Sequence, residues 1–576
     1  MEEPVKLSAV EGIKTSSNYL RGDIAEELVN GEPNLSKDSI QLIKHHGSYE
    51  QDDRDRRKEA KANGVPGGRY YSYMVRSAIP GGRLTSAQLL AQLDLCDEIG
   101  NSTLRITTRQ GLQLHGILKD NLKRCIRRIN ETQLTTLAAC GDVSRNVMCS
   151  PAPYKNDAVY DEVQALAETL AAKLAPQTTA YHELWLTDDA TGEKTLAGGG
   201  KPAEATPQDH EPLYGPTYLP RKFKLGVALP GDNNADLYSQ DIGLLAIADA
   251  GRVVGYNVLV GGGFGNTPSK KNTSPMVGQP LAFVPPEAAV DACKAIMKVQ
   301  RDFGNRSDRK IARMKYLIRD WGLDRFKQKV EEYFGEAMAP PRPVKVDGHD
   351  DGMGWRPQGD GRWFYGLNVE NGRIKDDGEF RLKSALREVG ATLAPPLRLT
   401  AHQGLIFCDL AEEDKPRLEA ILKSHGVPLT EEISKARRWS MACPALPLCG
   451  LAITESERYL PTMMDALDAL LAELGLADED FTTRMTGCPN GCARPYNSDI
   501  GLVGKARGKY TLLLGGSRLG HRLNWVYKDM VPQDDVVPTL KPVFELFKSD
   551  RTGGESFGDF CHRVGKEDLL ATCGRE

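Results

Sequence analysis

Residues 104–117 read LRITTRQGLQLHGI, and residues 397–407 read LRLTAHQGLIF. Leu104-Arg105-Ile106-Thr107 matches Leu397-Arg398-Leu399-Thr400, and Gln110-Gly111-Leu112 matches Gln403-Gly404-Leu405. Each stretch alternates as a strand does. Ahead of the first lie VRSAIPGGRL, which reads as a strand and Gly-rich turn, and TSAQLLAQLDLCDEIG, which has helical spacing with a Thr/Ser start and a terminal Gly. GLNVENGRI and FRLKSALREVG stand in the same order ahead of the second. Strand, turn, helix and strand recur together, which predicts an internal duplication of an α+β unit. The copies differ in charge. Arg76 falls opposite Gly366 and Arg109 opposite His402, so only the first copy is expected to face an anionic ligand.

Further out, YNVLVGGG from Tyr256 and YTLLLGGS from Tyr510 echo each other weakly. GGGFGN lacks the spacing of a dinucleotide or P-loop motif, so its glycines read as tight turns or backbone close to a large ligand, with no nicotinamide or ATP site of the chain's own. The first 65 or so residues are polar. LRGDIAEEL reads as a short helix, QDDRDRRKEAKANG as a solvated charge run, and the whole as an arm ending at Gly64, Pro66, Gly67 and Gly68. At 576 residues several domains are expected, and 40% hydrophobic with 26% charged residues fits a globular chain. Net charge −4, from 74 basic and 78 acidic residues, gives no basic field for nucleic acid. MEEPVKLSAVEGIK has no basic region followed by an apolar stretch, and no run of about 18 apolar residues occurs, so neither secretion nor membrane spanning is expected and the cytoplasm is the expected location.

Of twelve cysteines, Cys96, Cys125, Cys140, Cys149, Cys293, Cys408, Cys561 and Cys573 stand alone and read as small buried hydrophobes. The other four are clustered. MACPALPLCGLAITESERYLP and RMTGCPNGCARPY place Cys443, Cys449, Cys488 and Cys492 as C-x5-C and C-x3-C. Four thiolates from two loops suit a cubane iron–sulfur cluster, one per iron. Pro444, Pro447, Pro489, Gly450, Gly487 and Gly491 keep these loops out of helix and free backbone N–H groups for sulfur. A zinc site is the competing reading, although zinc loops favour shorter Cys spacings. In PRKFKLGVAL, Lys222 and Lys224 alternate with Phe223, so both ammoniums share one face and repel unless an anion lies between them.

TGCPNGC and the preceding Cys segment resemble the signature of the sirohaem-dependent sulfite and nitrite reductase family. The resemblance covers nearly the whole chain, through SNYLRGDIAEEL, HGSYEQDDRDRR, SRNVMCSPAPY, TYLPRKFK, VGYNVLVGGG, GNRSDRK and GESFGDF. It implies a three-domain, pseudo-two-fold duplicated α+β fold with the cofactors at the domain interface. The implied parts are an arm (1–65) that docks a partner, ferredoxin-like half-repeats (66–138 and 351–430), a first sirohaem-binding α/β domain (139–350), and a second α/β domain with the cluster loops (431–576). It further implies a 4Fe-4S cluster on Cys443, Cys449, Cys488 and Cys492, with Cys492 bridging to the sirohaem iron. By the same resemblance Arg76, Arg145, Lys222 and Lys224 surround substrate, while Arg109, Gln113, His115, Asn305, Arg306, Arg309 and Arg313 hold the macrocycle. The implied activity is assimilatory reduction of sulfite to sulfide. The arm resembles the branch whose haemoprotein docks on an NADPH-oxidising flavoprotein, with ferredoxin as the alternative donor. Nitrite reduction on the same scaffold is the nearest rival, and a non-catalytic iron–sulfur or zinc-structured protein the rival from another class.

Overall fold

The computed structural model describes residues 6–64, 69–181, 184–187, 191, 194–198 and 211–574. Each half-repeat builds an antiparallel sheet. The first runs Ser48–Asp52, Tyr71–Ser77, Leu112–Ile117, Leu104–Ile106 and then Arg373–Ile374, a strand from the second repeat. The second runs Gly354–Pro357, Trp363–Leu367, Leu405–Leu410, Leu397–Leu399 and then Arg83–Leu84, a strand from the first. The repeats thus exchange their fifth strands, with Arg373 opposite Arg105 and Arg83 opposite Arg398. One apolar core serves both, from Leu84, Leu104 and Leu112 to Leu397, Leu399 and Leu405. The helices Ser86–Glu98 and Leu382–Thr392 cross over it, and Gly390 lets Leu90 approach. Thr85 caps the first of these helices in a box with Gln88, as its Thr/Ser start predicts.

The register confirms the pairing of Arg76 with Gly366. Arg76 lies opposite Gln113 in the first sheet and Gly366 opposite Ile406 in the second, at equivalent positions. One expectation needs correction. LRITTRQGLQLHGI is not one strand but a hairpin, Leu104–Ile106 and Leu112–Ile117. Thr107 Oγ1 accepts the N–H groups of Arg109 and Gly111, both at 3.1 Å, and Gln110 takes a left-handed φ of 51°. The second copy turns in the same way at Thr400 and Gln403. Arg109 therefore stands at a tight turn.

Among the described residues, the remaining sequence includes two five-stranded sheets of identical topology. Met148–Cys149, Leu225–Ala228, Ile242–Asp249, Arg252–Val260 and Gln279–Val284 correspond in order to Ser440–Ala442, Thr483–Thr486, Ile500–Ala506, Lys509–Leu514 and Trp525–Pro532. In each, the first two pairings are parallel and the last two antiparallel. YNVLVGGG and YTLLLGGS fall on equivalent strands, so the weak echo is a second duplicated unit. Each sheet has its own core. Equivalent residues even meet: Asp236 and Arg494, both left-handed and both leading into a short 3-10 turn, pair at 2.5 Å.

The arm belongs to this body. Its strand Ser48–Asp52 forms an edge of the first sheet, and LRGDIAEEL contains the short helix Ile24–Glu27. The charge run forms the helix Arg54–Ala62. Of the proposed boundary, Gly64 ends a turn, and Pro66, Gly67 and Gly68 lie outside the described residues.

Candidate functional site

Cys443 follows the strand Ser440–Ala442 and Cys488 follows its parallel neighbour Thr483–Thr486, so both emerge at the same sheet end. Ligand sites gather at the carboxyl ends of parallel strands because the loops there leave the sheet together. Gly487 is required where it stands. A Cβ would lie 2.5 Å from the Thr454 carbonyl and 2.7 Å from Ala445 Cβ, and its N–H donates to Cys443 Sγ at 3.3 Å. Asn490 Nδ2 donates to Cys488 Sγ at 3.4 Å. Cys443 and Cys488 are buried, Cys449 is half-buried and Cys492 is exposed.

The thiols sense one another. Burial first and the Cys492 charge second push the Cys488 thiol up to about 11, and the same two causes raise Cys443 and Cys449. Three thiols raised in this way do not ionise together unless a cation lies among them, which is the charge a bound metal cluster supplies. Among the described residues no three His, Cys, Asp or Glu side chains group to hold one metal ion. A cubane asks for a wider set, since each thiolate reaches its own iron.

A concentration of positive charge lies within electrostatic reach of Cys492. The Lys222 and Lys224 ammoniums have no hydrogen-bond or ion-pair partner among the described residues, and both feel the Cys492 thiolate. Lys222 is pushed down to about 7 by burial, then by Arg145 and Arg221, and Lys224 falls well below its usual value through burial, Arg109 and Lys222. By surface area both are half-buried. Arg109 is lowered to about 9 by burial and then by Arg145 and Arg494. Its Nη groups reach Gln240 Oε1 at 2.7 Å and the Asn146 carbonyl at 2.6 Å, leaving Nε buried without a partner. Arg145 donates to the Gly141 carbonyl and, at 3.3 Å, to Tyr49 Oη. Arg76 contacts Cys140 Sγ at 2.9 Å. With its amide oxygen turned toward Arg76, Gln113 accepts from Nε at 2.9 Å. His115 places Nδ1 at 3.1 Å from Gln51 Nε2, while its Nε2 is buried with no partner. Burial and then Arg373, Arg105 and Arg76 hold His115 well below its ordinary value, so it is neutral.

Unpartnered ammoniums, an orphaned guanidinium nitrogen and an orphaned imidazole nitrogen fit a large ligand fringed with carboxylates together with a small oxyanion. The other four residues assigned to the macrocycle are held differently. Asn305 accepts the N–H groups of Ser307 and Asp308 within its own turn. Arg306 pairs with Glu11, Arg309 is bidentate to Asp142 at 2.8 and 3.1 Å, and Arg313 to Asp241 at 3.0 and 2.8 Å. The end of GGGFGN packs on the cysteine loop: Asn266 N–H donates to the Pro489 carbonyl, and a Cβ at Gly265 would lie 3.2 Å from the Asn490 carbonyl, whereas Gly262 lies against Tyr238 and Gln240 and Gly263 against Arg313.

Sequence reasoning missed several contributors. Arg54, read as part of a solvated run, donates to the Pro447, Cys449 and Ala452 carbonyls and so ties the arm to the cysteine loop. Nothing in QDDRDRR distinguishes it from its neighbours. Tyr49 and Gln51 alternate on one face of an arm strand, a pattern that a period-two reading finds. Cys140, read as an inert hydrophobe, touches Arg76.

The chain matches two family models: the nitrite and sulphite reductase 4Fe-4S domain over residues 140–338 and 434–576, and the nitrite/sulfite reductase ferredoxin-like half domain over 66–132 and 356–425. It is 46% identical over 576 residues to a protein named sulfite reductase [ferredoxin] from Synechococcus elongatus, covering 98% of this chain and 91% of that one. It is 44% identical over 573 residues to the sulfite reductase [NADPH] hemoprotein beta-component of Staphylococcus carnosus, covering 99% and 98%. The Mycobacterium tuberculosis NirA protein shares the fold, with a TM-score of 0.78 over 98% of both chains at 24% identity.

Proposed function

The chain belongs to the nitrite and sulfite reductase family, and we propose that its buried cation cluster binds sulfite for reduction to sulfide. The protein is a sulfite reductase carrying sirohaem and a 4Fe-4S cluster. When bound, this pair supplies the electron path and the iron on which sulfur passes from the +4 to the −2 state. Cys443, Cys449, Cys488 and Cys492 would hold the cluster, and Cys492 would be the thiolate that couples it to the sirohaem. The observation that carries the reading is the pair of unpartnered ammoniums, Lys222 and Lys224, beside Cys492.

The chain's own contribution is electrostatic and protonic. Arg76, Arg145, Lys222 and Lys224 would attract the dianion and orient its oxygens inward. Each departing oxygen needs two protons to leave as water. A lysine held at about 7 is poised to give up a proton near neutrality and regain it from solvent. Arg76 and Arg145, with planar guanidinium forks that match an oxyanion, would hold it while protons pass from the lysines. Arg109, Gln113 and His115, with Asn305, Arg306, Arg309 and Arg313 behind them, would hold the macrocycle. His115, being neutral, would donate from Nε2 to a carboxylate.

Electrons come from a separate donor of the flavoprotein or ferredoxin kind. The resemblance of the arm to the flavoprotein-docking branch favours an NADPH-oxidising flavoprotein, with ferredoxin as the alternative. Among the described residues no helix is long and apolar enough to cross a membrane, and a cytoplasmic enzyme of sulfate assimilation and cysteine biosynthesis is the reading that goes with this chemistry. The visible spectrum and iron content of the purified chain, with sulfide release from sulfite under reduced methyl viologen, test the proposal. Sirohaem bands, more than one iron per chain and sulfide support it. A colourless zinc protein overturns it, and ammonia from nitrite without sulfide would move the enzyme to the family's other activity.

A further inference from the structure

Where the first sheet borrows its fifth strand, two arginines meet in register, Arg105 of the first repeat and Arg373 of the second. Both grip Glu457. Arg105 Nε lies 3.0 Å from Oε2, and Arg373 reaches Oε1 at 2.5 Å and Oε2 at 3.0 Å. The group is largely buried, with side-chain exposures of 3% for Arg105, 11% for Glu457 and 15% for Arg373, so water screens it poorly. It is also wired to the cysteine loop. Arg105 Nη2 donates at 2.9 Å to the carbonyl of Ala442, the residue before Cys443, and the Glu457 N–H donates to the Cys443 carbonyl at 3.2 Å. Asn371, in the turn leading to Arg373, holds the Glu457 carbonyl at 3.1 Å.

The duplication provides an internal comparison. The equivalent register pair, Arg83 and Arg398, meets Glu168 on a half-exposed surface and the neutral Gln164, beside Cys149 and no cysteine cluster. Only in the cluster-bearing half is the arginine pair locked onto a buried carboxylate.

We infer that Arg105, Glu457 and Arg373 form a buried charge lock that sets the reduction potential of the metal cluster and fixes the Cys443 loop against the exchanged strands. The three are positioning residues. This rests on the cluster assignment above and extends it. Two guanidiniums and one carboxylate leave one net positive charge beside Cys443, which favours the more negative, reduced cluster.

The test is an EPR-monitored redox titration of the iron-loaded protein, with iron content measured first. Glu457→Gln removes negative charge and should shift the cluster midpoint upward. Arg373→Gln removes positive charge at the partly exposed end of the lock and should shift it downward, while Glu457→Asp should restore a midpoint near that of the parent. Loosening of the loop would move both neutral variants the same way, so shifts of like sign overturn the inference, as do unchanged midpoints. Should Glu457→Gln fail to load iron, the charge-keeping Arg373→Lys takes its place: a midpoint near that of the parent beside a lowered one in Arg373→Gln supports the inference, and equal shifts in the two overturn it. A parent protein without iron would sink the functional reading instead.

Discussion

Replacing Lys222 with methionine keeps the aliphatic stem and removes only the ammonium. An ammonium about 4 Å from an oxyanion gains about 4 kcal/mol at an effective dielectric near 20. Keeping that ammonium charged while buried beside Arg145 and Arg221 costs part of the gain, so its net contribution is roughly half. A loss of about 2 kcal/mol corresponds to a fall of roughly 30-fold in kcat/KM for sulfite. The pH profile is more discriminating. Lys222 is held at about 7 by burial first and neighbouring arginines second, and only its protonated form attracts sulfite and delivers a proton. Activity should therefore decline as pH rises through the lysine's value, which bound anions move upward from about 7. Lys222→Met should start lower and lack that alkaline step. The assay is sulfide release under reduced methyl viologen from about pH 6 to about pH 10, with the visible spectrum recorded at each point. Turnover within about twofold of the parent, with the alkaline step intact, would refute the assignment.

Cys492→Ser should abolish sirohaem retention or its coupling to the cluster, read from the visible and EPR spectra; full activity in this variant sinks the bridging role. Gly487→Ala drives a methyl into the Thr454 carbonyl at 2.5 Å, so a loss of roughly 1–3 kcal/mol is expected together with lowered iron content, measured by urea midpoint and metal analysis. The cofactor-free protein should gain stability from about pH 7 to about pH 8. Lys222 and Lys315 are held at about 7 and about 6 by burial first, against 10.5 when unfolded. The unfolded chain therefore binds more protons in that window, worth up to ~1.4 kcal/mol per lysine per pH unit. Urea midpoints that fall across the window would contradict this, and bound cofactor should flatten the rise.

The cluster loops were legible because their chemistry is local. Spacing, prolines and glycines around Cys443, Cys449, Cys488 and Cys492 lie within two short segments. The duplication was legible from matched strands and helices, and the register of Arg76 with Gly366 followed from it. What escaped depends on contacts distant in sequence. Arg83–Leu84 and Arg373–Ile374 are two residues each, too short to carry a period. The tight turn at Arg109 rests on a Thr107 side chain capping two backbone N–H groups, which alternation alone does not reveal. Arg54 and the Glu11 partner of Arg306 are defined only once the arm has folded against the rest of the chain, and Arg309 and Arg313 meet Asp142 and Asp241 only through contacts far apart in sequence.

The exchanged strands also set a schedule for synthesis. Once Leu104–Ile106 has left the ribosome, one side of it stays an open edge until residue 373 follows, a delay on the order of 15–50 s at roughly 5–20 residues per second. An unpaired apolar edge of this kind invites pairing between nascent chains. The symmetry that closes the finished molecule therefore makes its first half dependent on a segment not yet made, and slowing translation between the repeats should lower the yield of folded protein more than slowing it after residue 374.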